Sequence, residues 1–125
     1  MRSEVLYLHD MIAAAQAVVR YVSLTTLDQF CQDELVQSAV LHQLTVIGEA
    51  AARMPVSLRR KHEAVPWSDM TGMRNVLVHA YFSVDLGTVW KTAVDEIPAL
   101  IPQLQRILDE LERPNHSDIQ ERLES

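Results

Sequence analysis

A single cysteine, Cys31, in 125 residues can close no bridge within the chain, and it supplies none of the thiolate clusters that zinc or iron–sulfur sites need. Only three glycines are present, too few for the turn-dense all-β classes. No window approaches the roughly 20 consecutive apolar residues of a membrane span, and the opening Met1-Arg2-Ser3-Glu4 leads into an amphipathic stretch, so no membrane partner is expected and the chain reads as cytoplasmic. Positive charge is also short. Eleven Lys and Arg against seventeen Asp and Glu leave −6 at pH 7, which excludes coating of nucleic acid through overall charge and confines any phosphate contact to a local site. At this length one domain with a sizeable core is expected, and not two.

What remains is helical in pattern. Val5, Leu8, Ile12, Ala15, Val19 and Val22 step by 3 and 4 in alternation and predict a first helix over 3–21. A capping-rich connector, Thr25-Thr26-Leu27-Asp28, precedes a proline-free stretch over 33–54 whose apolar residues cover more than one stripe, so that helix is buried on two sides. Gly48 sits inside it at a cost of roughly 1 kcal/mol relative to alanine, a placement expected where another backbone passes close. Pro55 ends this helix, 57–61 can form a short turn, and Val65-Pro66-Trp67-Ser68-Asp69 reads as a helix entry.

Asp85 is a plausible N-cap for a last helix, which Pro98 should kink near Glu96. The fold class expected is all-α: an antiparallel bundle of four to five helices over 1–112 with a polar tail over 113–125.

Charge is polarised along the chain. Between 53 and 79 five Lys or Arg and two acids give +3, while the rest carries −9. Within that positive segment Arg53, Arg59, Arg60 and Lys61 can guide RNA or contact an acidic partner, or form a plain solvated turn.

The one constellation with a reaction in it is Arg74-Asn75-Val76-Leu77-Val78-His79-Ala80-Tyr81. Arginine offers a planar, permanent cation for phosphate, and histidine, with an unperturbed pKa of about 6.5, can take or give a proton near neutrality. Together they supply what phosphodiester cleavage needs without a metal: charge stabilisation on the pentacoordinate phosphate and proton transfer for the attacking 2′-OH and the leaving 5′-oxygen. Asn75 can add a neutral hydrogen bond, and RNA, which carries its own nucleophile, is the natural substrate.

Five residues at about 100° each put Arg74 and His79 roughly 140° apart around a helix. Either the helix ends before His79, or residues from two protomers meet across a twofold. The bland alternative is a surface ion pair for Arg74 and a helix-end hydrogen bond for His79. Val76, Leu77 and Val78 are expected to anchor the segment in the core.

No metal or cofactor is expected: His9, His42, His62 and His116 have no carboxylate or histidine partner at ligand spacing, and no Glu-x-x-His pair is present. Cys31, at the start of a helix, reads as a small core or surface thiol. Trp67 and Trp90 read as core or dimer-interface anchors.

Ile47-Gly48-Glu49-Ala50-Ala51, Val65-Pro66-Trp67, Gly72-Met73-Arg74-Asn75, His79-Ala80-Tyr81-Phe82 and Val84-Asp85-Leu86 with Val89-Trp90 follow one another in the order and spacing of the HepT-like toxins of the HEPN superfamily. From about Val5 to Leu111 the chain resembles that family, with alanine at position 80 where glycine is common. The resemblance implies a helical bundle that dimerises so that two Arg-x4-His motifs line a common cleft. It also implies a metal-independent endoribonuclease in a type VII-like toxin–antitoxin setting.

In that family an MntA-like nucleotidyltransferase antitoxin transfers AMP to the tyrosine two positions after the histidine, here Tyr81. Adenylate there would put bulk and negative charge beside Arg74 and His79. The alternative function is a non-catalytic helical module that binds a nucleotidyltransferase.

Overall fold

In a computed structural model, residues 2–80 and 83–113 are described. Helices joined by short turns make up all their regular structure, in the order α1 (Arg2–Ser23), α2 (Leu27–Gln32), α3 (Glu34–Arg53), α4 (Val56–Lys61), α5 (Trp67–His79), α6 (Leu86–Lys91), a π-helical turn (Thr92–Glu96) and α7 (Ile97–Glu112). The all-α bundle expected from the pattern is the fold. Its segments outnumber the four to five expected, because three of the seven α-helices have only six residues.

Local chemistry explains those short pieces. Thr26 and Gln29 form a reciprocal capping box, with Gln29 N donating to Thr26 Oγ1 (3.2 Å) and Thr26 N donating to Gln29 Oε1 (3.1 Å), so part of the expected connector is helix. Asp33 then caps α3 by accepting from Val36 N at 3.1 Å. Asp85 caps α6, accepting from Gly87 N (3.0 Å) and the Thr88 hydroxyl (2.9 Å), as its position suggested.

The break anticipated near Glu96 is the π-helical turn. Pro98, at the start of α7, has no N–H to give to the carbonyl four residues back, and the wider turn before it accommodates that loss.

α1, α3, α5 and α7 carry the bundle. α1 packs on α3 and α7, and α3 packs on α1 and α5, which is the two-sided burial expected of it. Leu8, Met11, Phe30, Leu44, Ile47 and Leu104 are among the side chains sealed in the core. Trp67 is buried, and its indole N–H donates to the His62 carbonyl at 3.0 Å. Trp90 is half-buried against Phe30 with ring centroids 5.4 Å apart. Both tryptophans therefore have intrachain roles. Cys31 is exposed and lies in the last turn of α2, not at a helix start. The polar tail from 114 on and His116 lie outside the described residues.

Candidate active site

Gly48 fixes how α5 crosses α3. A Cβ placed on it would overlap the Cβ of Arg74 and stand 2.7 Å from the Met70 carbonyl oxygen. The glycine kept inside α3 thus marks the close backbone approach expected from sequence, and the residue pressed against it is Arg74. One position along α3, Glu49 reaches the same guanidinium. Arg74 Nε donates to Glu49 Oε1 at 2.6 Å, Nη2 lies 2.6 Å from that oxygen, and Nη1 donates to Asn75 Oδ1 at 2.7 Å.

Of the five N–H groups of a guanidinium, one on Nη1 and one on Nη2 are left over. These are the donors that a planar fork offers to phosphate oxygens. Glu49 is the site residue that reading the chain alone missed.

His79 is the last residue of α5 and is exposed, with no hydrogen bond or ion pair to a described residue. α5 runs unbroken from Trp67 through His79, so the helix does not end early to bring His79 round to Arg74. Within one chain the two remain on different faces. Of Val76, Leu77 and Val78, only Leu77 is buried; Val76 is 53% and Val78 48% exposed. Three consecutive helical positions sweep about 200°, and one core-facing stripe holds just one of them.

The basic residues further upstream divide. Arg53, Arg60 and Lys61 are exposed, whereas Arg59 is half-buried, and its Nε has no partner among the described residues. None of the four is hydrogen-bonded to Arg74, Asn75 or His79. Tyr81 lies outside the described residues.

A groove of about 640 Å³ opens between α5, α6 and α7, lined by Met70, Met73, Leu77, Val84 and Leu100, with Asp69, Asp85 and Glu96 among its polar residues. Carboxylates beside an apolar floor suit phosphate poorly, so this groove does not extend the Arg74 site. No three His, Cys, Asp or Glu side chains among the described residues are grouped to hold a metal ion, and no described helix is long and apolar enough to cross a membrane.

A helical bundle that fixes an arginine with a carboxylate and leaves a histidine open five residues later has the parts of a phosphodiester-cleaving protein. Comparison with known proteins narrows this class. The chain matches the family described as Ribonuclease HepT-like over residues 11–107, and it belongs to that family of ribonucleases.

It is 35% identical over 106 residues to a protein of Thermococcus cleftensis named "Probable ribonuclease HepT", covering 85% of this chain and 96% of that one. A "Putative RNase" of Methanocaldococcus jannaschii is 33% identical over 106 residues, covering 85% of this chain and 91% of the relative. A longer protein of the same organism, named "Gamma-glutamylcyclotransferase and putative RNase", is 32% identical over 114 residues; the match takes in 90% of this chain but only 51%, about half, of that relative. No solved structure gives a significant match.

Proposed function

We propose that this chain is a metal-independent endoribonuclease toxin in which Arg74 stabilises the phosphorane, Asn75 helps to orient it, and His79 moves the proton. The observation that carries the reading is the Arg74 guanidinium, braced by Glu49 and Asn75 with two N–H groups to spare, on a helix that ends in an unpartnered His79. Since one unbroken helix keeps the two on separate faces, two copies assemble so that Arg74 of one and His79 of the other address one phosphate.

Attack of the 2′-oxygen on phosphorus forms the new P–O bond as the 2′-OH proton leaves. The P–O5′ bond breaks, O5′ takes up a proton, and a 2′,3′-cyclic phosphate and a 5′-hydroxyl result. His79 serves as acceptor in the first transfer or donor in the second. The partner that silences the toxin is an MntA-like nucleotidyltransferase, which places AMP on Tyr81; Arg53, Arg59, Arg60 and Lys61 contact RNA or that partner.

Purified chain should cut RNA in the presence of EDTA and leave a 2′,3′-cyclic phosphate. A 2′-deoxy nucleotide at the scissile position that fails to block the cut refutes the internal attack. Mass spectrometry after co-expression with an MntA-like nucleotidyltransferase tests Tyr81, with added mass in units of AMP expected there and nowhere else.

One observation favours a second reading. The Glu49–Arg74 ion pair is also what a non-catalytic module that binds a nucleotidyltransferase would use to brace α5 on α3. Unchanged toxicity in folded Arg74→Ala and His79→Ala variants would decide for that module.

A further inference from the structure

One side of the bundle is left open. α3 packs on α1 and α5, and α1 packs on α3 and α7, but α5 and α7, the outer members of that series, meet in no comparable packing. The gap between them is the groove of about 640 Å³, floored by Leu44 of α3 together with Met70, Leu77, Ile97 and Leu100. Along α5 its wall runs from Asp69 to Leu77, about 12 Å at 1.5 Å per residue, or just over two turns of helix.

Both edges of the groove are acidic. Asp69 on α5 and Glu96 at the end of the π-helical turn are exposed, and neither forms an ion pair with a described residue. Asp85 adds a third negative charge while it caps α6. No Lys, Arg or His is among the described residues that line the groove.

We propose that this groove receives a basic amphipathic helix of a partner protein, its apolar side on the floor and its Lys or Arg side chains against Asp69 and Glu96. Two turns are the span over which a helix presents apolar residues at i, i+3, i+4 and i+7 to a groove. Met70 is buried in the floor and Met73 half-buried beside it, and unbranched thioethers adapt to whatever apolar side chains arrive.

Charge decides against other occupants. A phosphate backbone or an anionic lipid surface would meet three carboxylates and no cation, whereas Lys or Arg on a docked helix satisfies both edges at once. A second copy offers no suitable helix: α4, which carries Arg59, Arg60 and Lys61, has only six residues and buries Leu58 in its own chain.

The turn of α5 keeps this docking apart from the proposed chemistry. At 100° per residue, Asp69, Met70, Met73, Val76 and Leu77 centre about 170° around the helix from Arg74, Asn75 and His79. A helix in the groove therefore lies behind the reactive face of α5, and the proposal stands whether or not the chain cuts RNA.

Fluorescence anisotropy tests it on the full chain, with circular dichroism as the check on folding. The probe is a fluorescein-labelled synthetic helix of about 14 residues, leucine on one face and lysine on the other. Saturable one-to-one binding is expected, and none by the same peptide with glutamate for lysine. Asp69→Lys and Glu96→Lys should each weaken binding at least about threefold, and together about tenfold. Asp10→Lys makes the same change in net charge on the exposed outer face of α1 and should alter binding by less than about twofold. Amide chemical shifts of the labelled chain should change along 69–77 and 96–103.

Equal weakening by Asp10→Lys, or shifts gathered elsewhere, would mean attraction to overall charge and overturns the site. Sedimentation velocity with saturating peptide tests for a second copy: a chain that becomes smaller has been holding a copy of itself in the groove. An oligomer of 2′-deoxyuridine, which has no 2′-OH to support cleavage, tests for nucleic acid: shifts of the same amides assign the groove to a phosphate chain. Either result overturns the proposal.

Discussion

Two positions in the C-terminal half of α5 are built to opposite specifications. Arg74 is pressed onto Gly48 and held by Glu49 and Asn75. His79, five residues later, closes the helix exposed and without a described partner. A cation that must meet phosphate in one orientation gains from being fixed beforehand, since preorganised charge needs no rearrangement during reaction. An imidazole that must give or take a proton needs access to substrate. The contrast teaches that the fold fixes the Arg74 cation and leaves the His79 imidazole open to solvent, which is the division of labour that the proposed reaction requires.

Removing the open end tests this first and should have the largest effect. His79→Ala is expected to lower RNA cleavage by about 10²- to 10⁴-fold, the range for a lost proton-transfer group, with no loss of stability, because the side chain pairs with no described residue. Single-turnover cleavage beside thermal unfolding reads both. If His79→Ala cuts at the wild-type rate, the proton is moved by some other group.

The fixed position should fail through packing. Gly48→Ala adds a good helix former, worth roughly 1 kcal/mol in α3, yet the added carbon must displace Arg74 and the α5 backbone. A net destabilisation of about 1–3 kcal/mol in chemical denaturation is expected, with cleavage falling alongside. A neutral or stabilising outcome would mean that α5 is free to ride up on α3, and the comparison between a fixed and an open position would dissolve.

The parts of this contrast that could be read from sequence are those written in neighbouring residues. Gly48 amid alanines announced a close approach, Asp85 its cap, and Pro98 the break before α7. The Glu49 brace could not be read, since it joins residues 25 apart and depends on how two helices cross. The expectation that Val76, Leu77 and Val78 all anchor the motif held for Leu77 alone, because it ignored the turn of the helix. The capping box at Thr26 and Gln29 was present in the letters, but a connector rich in capping residues reads equally well as a loop.

Glu49→Ala separates bracing from folding. The pair is partly open, with side-chain exposures of 29% for Arg74 and 38% for Glu49, so its loss should cost within about 1 kcal/mol of stability. Cleavage should nevertheless fall about tenfold, because a guanidinium free to swing meets the phosphate less often in line. Glu49→Gln keeps an acceptor near Nε and should recover most of that rate. If alanine and glutamine behave alike, the carboxylate positions nothing and the pair is structural.

The smallest effect is expected at Asn75. Its amide oxygen takes one N–H of Arg74 at 2.7 Å, and its NH₂ group remains for the phosphorane or for water. Asn75→Ala should slow cleavage about threefold, a modest loss because the bond from the guanidinium to the amide oxygen is exposed to water. Whether that loss arises at Arg74 or at the substrate is decided by combining it with Glu49→Ala. Two braces on one guanidinium are coupled, so the double variant should lose a different factor from the product of the single losses. Simple multiplication of the two losses would place Asn75 directly on the phosphate, with Glu49 alone holding the cation.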